Sequence, residues 1–184
     1  MVVDPSRRAR AHLVGEFRPG QDAALAKFRS LVQSVYPPLP SLGPAEIDLQ
    51  WGSTYRDLDL HLFICERKSG SVHHVGHRGS VGSVYESPWA LRTDDVLEGP
   101  GIEQIAVSKW LDAEYHVLVH DYSGASRFPV GDVNVRLSIP DSGVERTIEF
   151  RGAPGTWWHV LSIDGATGRV DEINRTFRDC PFPI

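Results

Sequence analysis

From Pro44 onward apolar residues recur at every second position, and this patterning constrains the fold more than any other feature of the chain. Ile47, Leu49 and Trp51 alternate with Glu46, Asp48 and Gln50. Leu58, Leu60, Leu62 and Ile64 alternate with Asp59, His61, Phe63 and Cys65. In a strand, one phase enters a core and the other faces away from it. Ile105 with Val107, then Tyr115, Val117 and Val119, then Val133, Val135, Leu137 and Ile139 repeat the pattern. Further strands are expected over 144–150, 157–163 and 169–173. Turn signals separate them, among them Ser69-Gly70, Gly99-Pro100-Gly101, Ser123-Gly124, Pro154-Gly155 and Asp164-Gly165. About eight to ten short strands at this spacing indicate an all-β antiparallel sandwich or barrel. Strands do not alternate with helices, which excludes a doubly wound α/β fold.

The segment before Pro44 reads differently. Residues 1–20 are charged and aperiodic. Over 21–36, Leu25, Phe28, Val32 and Val35 fall at helical spacing with Ala24 and Leu31 beside them, which predicts one helix. Pro37, Pro38 and Pro40 forbid its continuation and open a stiff linker. The chain thus divides into an N-terminal arm, helix and proline-rich linker over 1–43 and a β domain over 44–184. A length of 184 residues suits one principal core.

Charge narrows the partners. A formal net charge of −5 argues against a nucleic-acid binder and against adhesion to anionic membranes. No apolar run of the length needed to span a bilayer occurs, so no transmembrane segment is expected. Arg7, Arg8 and Arg10 are not followed by an apolar stretch, so no secretory signal is read. Cys65 and Cys180 do not make a disulfide framework and are expected as two free thiols, although one bridge between them is compatible with the sequence.

The segment from Asp57 to Leu62 is the richest in chemistry. Asp57, Asp59 and His61 are two apart and share a strand face. Two carboxylates so spaced can converge on one hard cation, and Asp94 with Asp95 would complete an oxygen-rich calcium site. The alternative is that Asp57 and Asp59 cap backbone amides at a strand entrance. His73, His74 and His77 invite zinc but lack a fourth ligand, and 72–75 reads better as a strand. His116 and His120 are expected to flank Leu118 on the less buried side of a sheet. Trp157 and Trp158 point to opposite faces, so one must be covered by the helix, exposed, or part of a binding platform. Trp158, Trp110 and Tyr122 are the candidates for such a platform. No Gly-x-Ser-x-Gly elbow, His-Glu-x-x-His, phosphate-binding Gly-rich loop or Cys-x-x-Cys is present. A small hydrolase would have to recruit Asp59 with His61, or Asp121 with His120, beside a serine such as Ser123.

These residues carry a resemblance. Trp51, the Asp57-Leu58-Asp59-Leu60-His61 run, Gly76-His77-Arg78, Thr93-Asp94-Asp95, Gly99-Pro100-Gly101-Ile102-Glu103 and the strand from Tyr115 to Tyr122 resemble the YfaP-like family of uncharacterised bacterial β-sandwich domains. The likeness spans roughly 44–177 and includes the ending from Trp157 to Gly165. The Asp-x-Asp and Tyr-x-Val-x-Val strands are also similar to bacterial pre-peptidase C-terminal domains, some of which bind calcium and extracellular polymers. The resemblance implies an Ig-like or jelly-roll sandwich without a catalytic role, in a periplasmic or secreted setting. With no signal read, the compartment stays open. The expected function is a non-catalytic binding or accessory module for a protein or polysaccharide partner, calcium-stabilised at Asp57, Asp59, Asp94 and Asp95. A small hydrolase or metal-dependent enzyme and a purely structural module are the alternatives.

Overall fold

The computed structural model describes residues 42–55, 57–76, 81–93, 95–123 and 132–183. The helix expected over 21–36, its linker up to position 41, His77 and Asp94 lie outside them. The described chain is all-β. Its strands are β1 (Ala45–Trp51), β2 (Leu58–Glu66), β3 (Val72–Val75), β4 (Gly82–Ser83), β5 (Ala90–Arg92), β6 (Gly101–Val107), β7 (Ala113–Asp121), β8 (Val133–Ile139), β9 (Val144–Glu149), β10 (Trp157–Asp164) and β11 (Val170–Phe177). This exceeds the expected number because β4 and β5, two and three residues long, are too short to show a period.

Two antiparallel sheets result, in the orders β4-β5-β6-β1-β8-β9 and β11-β10-β7-β2-β3. The alternating apolar phases of both meet in one core. Ile47 and Leu49 of β1, Leu60 and Leu62 of β2, Tyr115 and Val117 of β7, and Val135 and Leu137 of β8 all belong to it. Between β8 and β9, the turn Pro140–Ser142 is closed by Gly143, whose φ of 66° is left-handed and favours glycine.

The other face of the second sheet is not the solvent face that alternation predicts. β2 is buried on both phases from Leu58 to Ile64. Phe63, Leu118 and Trp157 form a second apolar cluster there, and Phe177, Cys180 and Phe182 pack over it. The C-terminal segment therefore covers part of this face, with the Phe182 ring stacked on Phe63 at 5.0 Å. His116 and His120 do flank Leu118 on this side, as expected. Cys65 and Cys180 are both free thiols.

The tryptophan assignment needs correction. Trp158 is fully buried in the central core, its ring 5.1 Å from Phe150 and its Nε1–H donated to Asn174 Oδ1 at 2.9 Å. A ring without exposure cannot be a binding platform. Trp110 is half-buried against the same core, donating to the Gly43 carbonyl at 2.8 Å and lying edge-on to Tyr115. Of the three proposed platform residues, only Tyr122 is exposed.

Candidate functional site

The candidate site lies where β1 ends, β2 and β6 begin, and β7 ends. β3 pairs with the stretch from Leu62 to Cys65, so among the described residues the start of β2 lacks a strand neighbour on that side. The Leu60 N–H there donates to Glu103 Oε2 at 2.8 Å. Glu103 comes from β6 in the other sheet and is 0% exposed. Its second oxygen accepts from Arg92 and from the Val96 N–H at 3.1 Å. Arg92, 5% exposed on β5, also donates both terminal nitrogens to Asp59 Oδ1 at 3.2 Å, and one of them to Asp95 Oδ1 at 2.8 Å. Asp59 is 2% exposed. Arg92 and Glu103 thus reach from one sheet to the strand entrance of the other.

Burial pushes the Glu103 carboxyl up to about 7, and the Asp59 charge adds to this, while Leu60 N–H, Arg92 and Val96 N–H pull it down. Neighbouring glycines make room for the packing. A Cβ on Gly101 would come within 2.2 Å of the Trp51 ring, so the Gly99-Pro100-Gly101 run is the bed of that indole.

On its outer side Asp59 meets a group of imidazoles. His61 follows two residues on along β2, and His120 sits directly opposite Asp59 on β7. Ligand atoms of these three residues all lie within 4.8 Å of one another. His61 Nδ1 and His74 Nε2 share a hydrogen bond of 2.8 Å. Gly76 permits that pair: a Cβ there would sit 2.4 Å from His61 Nδ1. Trp157 floors the group, stacked on His120 at 4.3 Å and tilted on His61 at 4.9 Å. Burial lowers the His74 pKa, which favours its neutral ring.

Of the expected calcium ligands, the structure brings Asp59 and Asp95 together, with the Arg92 guanidinium standing among the carboxylates. Asp57 lies just before β2, its carbonyl accepting the Tyr122 N–H at 3.2 Å, and joins neither convergent group among the described residues. Asp94 is outside the described residues. The hydrolase arrangement at Ser123 is also reassigned. Ser123 gives both its N–H and its hydroxyl to Asp121 Oδ1, which closes a turn. Asp121 is buried and shares the inward phase of β7 with Val119, opposite to that of His120. An acid, base and nucleophile relay does not assemble there.

Arg92, Glu103 and His120 escaped the sequence reading as neighbours of Asp59, and His74 and Trp157 as neighbours of His61. One signal was available. Glu103 occupies the same phase as Ile105 and Val107, and a carboxylate in a buried phase requires a buried cation.

Farther along the same face, His116 and His159 pack with Phe182. His159 is held down to about 4, first by burial and then by the nearby His116, against a backbone hydrogen bond at Leu161. Arg175 lies opposite it on β11. A folded pKa below the unfolded value near 6.5 means that the unfolded chain binds the proton first as pH falls. The stability His159 contributes is present at pH 7.5 and is lost between about pH 6.5 and 4. His159→Leu removes this loss: its stability relative to wild type should improve by about 2–3 kcal/mol between pH 7.5 and 4.5. Urea unfolding of both proteins at the two pH values measures it, and a difference independent of pH contradicts the buried neutral imidazole.

Comparison with family models, curated proteins and solved structures returns no match to this chain.

Proposed function

We propose that this chain is a non-catalytic binding module of the YfaP-like kind, an Ig-like or jelly-roll sandwich that recognises a protein partner through the end of its sheets around Asp59. The observation carrying this reading is the contrast at that end between locked charges and exposed apolar groups. Asp59 and Glu103 are buried and held by Arg92. In the segments that carry or adjoin these groups, Leu97 and Ile102, at 60% and 59% exposure, and Tyr122 at 47% are exposed. Leu97 stands in the β5–β6 connection, Ile102 at the start of β6 and Tyr122 just past β7.

Exposed aliphatic side chains favour a protein partner, because sugar platforms rely on flat aromatic faces. The positive charge that calcium was expected to supply among Asp59 and Asp95 is provided by Arg92, so the reading no longer requires that ion.

The test places a photo-crosslinking residue at 102 or 122 in the source cells, with exposed position 147 on β9 as control. The reading expects a discrete protein adduct from 102 and 122 and none from 147. Adducts sensitive to glycosidase, equal labelling from 147, or no adduct at any position would each overturn it.

A further inference from the structure

We infer that Asp59, His61 and His120 form a binding site for a divalent transition-metal ion of the zinc class, whether or not the partner reading holds. The constellation follows from strand geometry. Residues at i and i+2 of β2 share a face, and the residue opposite i on β7 projects on the same side. Three ligands therefore come from two hydrogen-bonded strands, the most rigid support a small site can have. Their ligand atoms already lie within 4.8 Å of one another. A tetrahedral ion with bonds near 2.0–2.2 Å wants them on the order of 3.4 Å apart. Metal binding would draw these atoms together by up to about 1.4 Å.

The surroundings fit. His61 Nδ1 is engaged by His74, so the nitrogen His61 offers a metal is Nε2, and its ring is oriented by a hydrogen bond of the kind that accompanies metal-bound imidazoles. A carboxylate accepts about four contacts, so Asp59 can hold Arg92 and a metal ion together. Trp157 walls the site on one side. Two imidazoles and one carboxylate select against calcium, which prefers an all-oxygen shell, and in favour of zinc, cobalt, nickel or ferrous iron. With three protein ligands, a fourth position is left for water or for a group from a bound partner.

The experiment is a cobalt titration of the full chain, freed of any affinity tag and stripped with chelator. Wild type should develop the strong visible bands of four-coordinate cobalt at one equivalent, and zinc should bleach them while millimolar calcium does not. His120→Gln should abolish the bands while keeping the metal-free circular dichroism spectrum. His159→Gln, on the same face but outside the trio, should bind as wild type does. His74→Ala removes no ligand and should weaken binding by about 10- to 100-fold while keeping the metal-free circular dichroism spectrum, which provides a second reading should His120→Gln fold poorly. No bands in wild type, bands undiminished in both His120→Gln and His74→Ala, or displacement by calcium would overturn the site.

Discussion

Arg92→Leu should lower the stability of the β domain by about 3–5 kcal/mol, the range found when one partner of a buried ion pair is removed. The guanidinium is 2% exposed and faces two carboxylates exposed by 3% and 0%, Asp59 and Glu103. The pairing need not be strongly stabilising by itself, because desolvation offsets much of the attraction. Its loss is costly because two carboxyl groups would remain inside with no cation. Glu103→Gln in the Arg92→Leu background should recover part of the stability by removing one buried carboxyl, although the amide keeps one acceptor oxygen where the carboxyl offered two, to the Leu60 and Val96 N–H groups. Asp95→Asn, at a side chain half exposed to water, should cost less than about 1 kcal/mol. Urea denaturation of the four proteins at neutral pH provides the test, and an Arg92→Leu penalty below that of Asp95→Asn would be incompatible with the brace described here.

Trp158→Ala should cost a comparable amount, about 3–5 kcal/mol, through the cavity left in the core and the loss of the Asn174 hydrogen bond. Tyr122→Ala, at an exposed ring that lies edge-on to His120, should change stability by no more than about 0.5 kcal/mol. The same pair separates structure from recognition: the crosslinked adduct should be lost on Tyr122→Ala without unfolding. Equal stability losses for the two variants would mean that the burial of Trp158 has been misplaced.

The long strands were legible because their apolar phase is a property of the sequence itself. Ile47, Leu49, Leu60, Leu62, Val135 and Leu137 enter the core as their alternation requires. What alternation cannot tell is what lies on the other side. Asp59, His61 and Phe63 read as a solvent phase, yet Phe63 is covered by Phe182, from an aperiodic tail, and Asp59 by an arginine from the other sheet. Trp158 shows a second limit. Strict alternation through β10 would align Trp157, not Trp158, with Leu161 and Ile163. The register shifts between His159 and Leu161, so Trp158 joins the core phase and Trp157 turns to the imidazoles. A bulge carries no composition signal here. The charged cluster was half visible: Asp59 and Asp95 were singled out, but their cation lies in a three-residue strand where no period exists. Cross-strand register, which sets His120 opposite Asp59, is a property of the pairing and not of either strand alone.

The central claim is that the Asp59–Arg92–Glu103 cluster is a rigid brace between the sheets, not a reactive group in a mobile cleft. Native-state hydrogen exchange of the Leu60 amide tests it most directly, because that N–H is held by the buried Glu103 carboxylate. The account predicts that Leu60 exchanges only through global unfolding, with the same opening free energy as core amides of β2 and β7, and that Arg92→Leu converts it to local opening. Exchange of Leu60 in the wild type through a local opening several kcal/mol cheaper than global unfolding would contradict it.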